Sequence, residues 1–137
     1  MALPRGIRNN NPLNIRKGNN WQGEREHQVD PSFEEFETIQ MGLRAGFIIL
    51  RNYQRNSLAP KMRANTIRKI INRWAPPSEN NTLKYIDTVA RRSGLNPDEL
   101  IAYRDKPRML AVVEAMCFVE CGQAIDKDII SSAYDLT

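Results

Sequence analysis

Hydrophobic positions along this chain recur at helical spacing, and one stretch near the C-terminal end is apolar almost all round. From Met109 to Cys121 every residue is apolar except Glu114 and Glu120. Such a helix is buried rather than amphipathic. Pro107 opens it and Gly122 ends it, the residues suited to a first helical turn and to a left-handed cap. Upstream, Thr38 starts a helix with Ile39, Leu43, Phe47 and Leu50 at helical spacing, running to about Asn56. Thr66 to Trp74 is a second, with Ile67, Ile70, Ile71 and Trp74 on one face. Thr82 opens a third, carrying Leu83, Ile86, Val89 and Ala90 and closed by Ser93-Gly94. Asn96-Pro97-Asp98-Glu99 predicts a short fourth one, with Asn as cap and Pro at the first position. Residues 126–135 predict a short final helix.

Between these lie segments that cannot be regular. Residues 1–20 are rich in Asn, Pro, Gly and Arg and predict turns and loops. Residues 21–29 and 32–37 flank Asp30-Pro31 and predict a short irregular β-hairpin. Residues 57–64 predict a basic loop, and 75–81, with two prolines and two asparagines, another. The pattern is that of one mainly α domain over residues 1–137, α+β through a small hairpin lobe near its N-terminus.

At 137 residues the chain can bury about two-thirds of its unfolded surface. A net charge of +4 and a pI near 9.3 favour a polyanionic partner: nucleic acid, an anionic membrane face or bacterial cell wall. The N-terminus lacks the apolar core of a signal peptide, and no apolar run approaches the ~18 residues of a membrane span. Cys117 and Cys121 stand one helical turn apart with a single His in the chain. Buried free thiols made in a reducing cytoplasm are therefore expected, rather than a metal site. No cofactor is implied, since Gly-rich phosphate loops, metal-ligand spacings and nucleophile elbows are absent from the sequence.

Two carboxylates on a buried helix need a partner, a proton or a cleft. Glu120 falls in the last turn, with Val113, Met116 and Cys117 on its own face. Apolar neighbours and the negative end of the helix dipole both favour the protonated acid that glycoside cleavage requires. An end-of-helix Glu pointing into solvent is the plainer alternative. Glu114 lies mid-helix, where an ion pair with an Arg is expected. The run Asn9-Asn10-Asn11-Pro12-Leu13-Asn14-Ile15 offers amides suited to sugar hydroxyls and N-acetyl groups, although Asn also serves turns. Trp21, Trp74 and Tyr85 are stacking candidates, Trp21 at a groove and Trp74 at the core edge. His27, Arg91-Arg92 and Lys61 to Arg63 read as solvated surface.

The motifs Arg5-Gly-Ile-Arg-Asn-Asn-Asn-Pro-Leu-Asn-Ile-Arg16, Trp21-Gln-Gly23, Phe33-Glu-Glu-Phe36, Gly42-Leu-Arg-Ala45 and Trp74-Ala-Pro-Pro-Ser-Glu-Asn-Asn-Thr82 resemble those of a bacteriophage family of structural, or virion, proteins. The resemblance spans about residues 5 to 123 and implies a lysozyme-like fold. The order of an Asn-Asn run, Trp-x-Gly, hairpin and helix is also similar to the flagellar-type glucosaminidases of the lysozyme superfamily. In those enzymes the catalytic Glu precedes the Asn-Asn run, on a helix ending in Glu-Ser-Gly. Here the matching element, Val119-Glu120-Cys121-Gly122, lies at the other end, which implies a circular permutation. Cys121 stands where the phage family has Asn, and Leu13 where it has Gly.

The resemblance implies a peptidoglycan-degrading glycosidase: a muramidase, a glucosaminidase or a lytic transglycosylase. Glu120 is the expected general acid for a β-1,4 bond between amino sugars. Ordinary hydrolysis needs a second carboxylate, for which Asp30 and Glu79 are the leading candidates, with Glu24 and Glu26 behind. Asn10, Asn11, Asn14, Trp21, Asn80 and Tyr85 are the expected substrate-binding residues. The rival is a non-enzymatic phage structural or wall-binding protein on the same fold. Nucleic-acid binding has no recognition module to support it. The expected partner is the glycan strand, the expected state a monomer. The expected route is from host cytoplasm to cell wall through a holin, a virion or a secretion machine.

Overall fold

A computed structural model describes residues 3–55 and 63–137. Six helices follow in order: α1 Arg5–Arg8, α2 Ile39–Gln54, α3 Ile67–Trp74, α4 Thr82–Ser93, α5 Lys106–Cys121 and α6 Lys127–Asp135. The chain is mainly α, as its periodicity predicts. The basic segment expected over 57–64 lies outside the described residues, apart from Arg63 and Ala64, and so does the Asn56 end expected for α2.

Helix ends follow their local chemistry. The Thr38, Thr66 and Asn81 side chains accept from the backbone N–H three residues on, which satisfies one of the orphan donors of a first turn. Asp105 does the same for α5, where Pro107 sits in the first turn. Gly94 and Gly122 close α4 and α5 in the left-handed region, at φ 74° and 71°.

Helix α5 lies against α1, α4 and α6, while α2 packs on α6 and α3 on α4. Val112, Val113, Ala115, Met116 and Cys117 of α5 are wholly buried, with Leu43, Phe47 and Leu50 of α2 and Ile67, Ile70 and Ile71 of α3. Both cysteines are free thiols, buried as expected. Burial pushes the Cys117 thiol well up, and the neighbouring Cys121 adds to it. Glu114 has the arginine partner its position requires: both its oxygens accept from Arg92, at 2.8 and 2.9 Å.

Two expectations fail. Residues 96–99 form a turn and not a fourth helix. The cap chemistry is present, since Asn96 Oδ1 accepts from Asp98 N and Glu99 Oε1 accepts from Asn96 N. The backbone beyond is claimed by tertiary bonds, Arg68 N to Pro97 O and Ile101 N to Asn65 O, and Ile101 is drawn into the core. The hairpin over 21–37 is also absent as strands. Among the described residues two isolated antiparallel bridges remain, Arg16 with Phe33 and Glu24 with Phe36. Backbone pairing persists around those bridges, as in Arg25 N to Glu35 O and Glu37 N to Gly23 O, and side chains hold the rest of the loop. The Glu35 carboxylate, buried, accepts from Val29 N and Asp30 N and pairs with Arg25. Although burial opposes it, those donors hold Glu35 below the usual carboxylate range.

The one-turn α1 is the other departure from the expected loop. Gly6 faces the end of α5, where an added Cβ would lie 2.9 Å from Asn11 O and 3.3 Å from Cys121 Cβ. The front of the chain is thereby seated on the end of the buried helix.

Candidate functional site

Glu120 sits in the last turn of α5, half-buried, at a cleft of about 570 Å³. Three donors from three segments converge on its carboxyl. Tyr85 OH donates to Oε2 at 2.8 Å and Trp74 Nε1 donates to the same oxygen at 3.4 Å. Asn14 Nδ2 donates to Oε1 at 3.2 Å and to the Glu120 carbonyl at 3.1 Å. Each donor is where its own element puts it. Tyr85 is buried on the inner face of α4, Trp74 ends α3, and Asn14 takes φ 52°, a left-handed conformation that Asn tolerates better than most residues. Burial, then the Glu120 carboxylate, push the Tyr85 phenol far up, so it remains a donor at any working pH.

The cleft is built from both ends of the chain. Asn14, Ile15, Arg16, Asn19 and Phe33 come from the N-terminal loops, Ile49 and Tyr53 from α2, and Trp74, Ala75, Glu79 and Asn80 from α3 and the loop after it. Two guanidiniums frame aromatic rings in it: Arg16 lies 5.1 Å from the Phe33 centroid and Arg73 lies 5.0 Å from the Tyr53 centroid, the range of cation–π attraction. The lining is mostly amides, aromatic edges and one further carboxylate, Glu79. Such a surface offers paired donors and acceptors around a fixed acid, as a polyhydroxylated ligand requires.

Asn80 also lines a neighbouring depression with Asn81, Lys84, Tyr85, Thr88, Phe118 and Val119. Asn19 lines another on a different side, with Lys17, Asn20, Glu24, Glu26, Gln28 and Glu34. The cleft therefore shares a residue with each of two further hollows, and Glu120 belongs to the middle one.

No family model matches the chain. Protein P5 of Pseudoalteromonas phage PM2 is 44% identical to it over 122 residues, which are 86% of this chain and 71% of that protein. The chain belongs to the family of that phage protein.

In this P5-family chain, the residues singled out in the sequence divide sharply. Glu120, Asn14, Trp74 and Tyr85 come together, and Glu79 and Asn80 line the same cleft. Trp74 is half-buried at the core edge, as expected, and its indole N–H also reaches the Glu120 carboxyl. Trp21, expected at a groove, packs against the core and is not among the cleft residues. Asn10 and Asn11 do structural work. Asn10 Nδ2 donates to the Phe36 and Glu37 carbonyls. Asn11, wholly buried, donates to Ile15 O and Glu34 O and accepts from Ile15 N. These amides are turned toward loop carbonyls: both bonds of Asn10 Nδ2 are spent there, and Asn11 is sealed in the core. Asp30 is likewise consumed. It accepts from Asn9 Nδ2, Ser32 N and Phe33 N and faces Arg5 at 3.3 Å. The Ser32 N–H and the Asn9 amide, ahead of the others, hold it down at about 2. His27 is exposed, as its sequence context implies.

Arg16, Asn19 and Phe33 carried no sequence signal of a cleft. The one hint lay in Ile49 and Tyr53, four apart on α2 and off its buried stripe.

Replacing Asn11 by Ala removes three hydrogen bonds and strips Ile15 N and Glu34 O of the Asn11 side chain, while Ile15 O keeps Glu34 N. A loss of about 2 kcal/mol is expected, read as a lowered melting midpoint by circular dichroism.

Glu34 is 2% exposed, and burial, then the Glu24 carboxylate beside it, push it up to about 7. Glu24 is held below its usual range in spite of burial, by the Trp21 N–H and by Glu34 and Gln28. The folded chain thus retains a proton on Glu34 between about 4.5 and about 7 that the unfolded chain has lost. Through this group, stability falls as pH rises across that window. Melting curves from pH 4.5 to 8 are expected to show the decline in the native chain, and a flatter profile in Glu34→Gln.

Proposed function

We propose that this P5-family chain is a peptidoglycan-cleaving glycosidase, a phage virion component of lysozyme-like fold, with Glu120 as its general acid. The observation that carries the proposal is the Glu120 carboxyl, fixed by Tyr85, Trp74 and Asn14 within an open amide-rich cleft. A carboxyl so oriented can deliver a proton along one line, the requirement for protonating a bridging glycosidic oxygen. Oε2 takes two donors and Oε1 one, so Oε1 is the oxygen that carries and delivers the proton. Asn14, Asn80 and the Trp74 edge position the amino sugars on either side of the bond.

Of the candidate second carboxylates, Glu79 shares the cleft, whereas Asp30 is engaged elsewhere and Glu24 and Glu26 line the adjoining hollow. Glu79 is the group to activate water if the reaction is hydrolysis. If it takes no part, the substrate's own hydroxyl attacks and an anhydro sugar results, with Glu120 acting as acid and base in turn. The seating of α1 on the end of α5 supports the permutation reading, since the two chain regions that order the site are adjacent. The protein acts at the bacterial cell wall as a single-domain monomer, delivered by virion, holin or secretion machinery.

The test is digestion of purified sacculi with mass spectrometry of the products. Soluble muropeptides with defined ends support the reading. Reducing ends identify hydrolysis, and anhydro ends a transglycosylase. Retention on sacculi with no soluble fragment would favour a wall-binding virion protein without catalysis.

A further inference from the structure

Arg16 supplies the guanidinium in the lining of the Glu120 cleft, and its backbone is fixed on both sides. Arg16 and Phe33 form an antiparallel bridge. Lys17 N donates to Ser32 O at 3.0 Å and Glu34 N to Ile15 O at 2.9 Å. Asn14, two residues earlier, bonds the Glu120 carboxyl. The register of this segment is thus tied to the acid at one end and to the Phe33 loop at the other. The Arg16 guanidinium lies over the Phe33 ring, 5.1 Å from its centroid, and Phe33 lines the same cleft.

Two arginines share that ring and differ in what else they touch. Arg5, at 5.0 Å from the centroid, faces the Asp30 carboxylate at 3.3 Å. The Arg16 side chain, exposed, has no hydrogen bond and no ion pair among the described residues. A guanidinium lying over a ring uses its face and keeps its edge, where five N–H groups form a rigid fork. That fork matches a carboxylate, which accepts two parallel bonds. The charge in the cleft points the same way. When Glu120 carries its proton, Glu79 is the one carboxylate left among the described lining residues. Against it stand Arg16 and the Arg73 guanidinium at the Tyr53 ring. A neutral glycan would satisfy the amides of this cleft and leave the fork to water.

We propose that Arg16 is the specificity-determining residue of the Glu120 cleft and selects an amino sugar whose substituent carries a carboxylate. That the ligand is an amino sugar rests on the proposed function, whereas the preference for a carboxylate rests on the Arg16 fork. In peptidoglycan two substituents carry the group: the lactyl ether on one of the alternating sugars, where its acid is free, and the peptide attached to that ether. Glu120 supplies the chemistry, and Arg16 sets which sugar lies beside it.

The test is binding and needs no turnover. N-Acetylmuramic acid and its methyl ester share the ring and the ether and differ by the charge. Each is titrated into the folded protein at low salt and followed by NMR shifts of the Asn19 amide and the Trp74 indole N–H. The acid is expected to bind about fivefold more tightly than the ester, the scale of a solvent-exposed guanidinium–carboxylate pair. The preference should shrink in about 1 M salt. It should vanish in Arg16→Gln, persist in part in Arg16→Lys, which keeps the charge without the fork, and persist in full in Arg5→Gln. Muramyl dipeptide against its ester places the charge on the peptide instead, and the pair with the larger preference identifies the carrier. Equal binding within both pairs, no binding of any probe, or a preference that survives in Arg16→Gln overturns the inference. Release of fragments from sacculi without the preference would leave the glycosidase standing and remove Arg16 from it. The preference without any release would support the role of Arg16 and count against the glycosidase.

Discussion

Glu120→Gln is expected to reduce release of soluble fragments from purified sacculi by about 10²- to 10⁴-fold, the range for removing a general acid. The substitution keeps the side chain's shape and one oxygen. Tyr85 OH can either donate to that oxygen or accept from the new amide, so the tether to α4 survives in both orientations. Trp74 can only donate and so favours the remaining oxygen at the Oε2 position, whereas Asn14 Nδ2 keeps the backbone carbonyl of residue 120 and its Oδ1 is an acceptor for the new amide. The melting midpoint should therefore fall by only a few degrees, while activity collapses. Tyr85→Phe is the informative neighbour. It leaves the acid present but frees one of its three restraints, and an intermediate loss of about tenfold is expected, with kcat affected more than KM. Full activity in Glu120→Gln would sink the assignment, and collapse of the fold would show that the carboxyl serves packing. Activity is assayed by turbidity loss, fold by near-ultraviolet circular dichroism.

The largest effect on stability is expected at Gly42. Its Cα faces the Asn-rich loop so closely that an added methyl would overlap the Asn10 carbonyl oxygen and lie 3.2 Å from Asn11 Cα. Both obstacles are backbone, and neither can rotate away. Asn10 is itself held at φ 52° and tied to Phe36 O and Glu37 O. Gly42→Ala must therefore push α2 off the loop, at a cost of about 3 kcal/mol, or roughly 10 °C in Tm. Activity should fall with it, because the displaced loop carries Asn14. Gly94→Ala is the control: its φ is 74°, yet nothing lies within 4 Å of the added methyl. Only the conformational term of about 1 kcal/mol applies there. Near-equal losses at the two positions would mean that the loop yields and the close approach is unimportant. Thermal melts of the two variants side by side settle it.

The helices were legible because their signals are local. Thr38, Thr66 and Asn81 cap, Gly94 and Gly122 terminate, and apolar periodicity fills the intervals, all within one or two turns of chain. The turn at 96–99 shows where local signals end. Its cap residues form their bonds, but continuation into a helix depended on whether Asn65 and Arg68, some thirty residues away, would claim the backbone. The expected irregular hairpin shrinks to isolated bridges for a related reason. Backbone pairing holds near Glu24 and Phe36, but beyond it Asn11 and Glu35 bond the loop from their side chains, and periodicity does not register such a substitution. The site shows the same division. Glu120 stood out because an acid on an apolar helix demands an explanation. The asparagines did not sort themselves, since sequence cannot tell an amide turned toward carbonyls, as at Asn10, from one turned toward a cleft, as at Asn14. Tyr53 and Phe33 join the lining through the approach of α2 and an irregular loop, which no short-range pattern encodes.

The bond from Asn14 to Glu120 spans 106 residues. Trp74 and Tyr85 reach the same carboxyl from 46 and 35 residues away. No segment shorter than residues 14–120 holds all four groups. Loop closure over such separations comes late and slowly relative to helix formation. During refolding, helical ellipticity should therefore recover ahead of the Asn14–Glu120 contact. Loss of the Asn14 loop would free one oxygen of a carboxyl that stands 106 residues further along the chain.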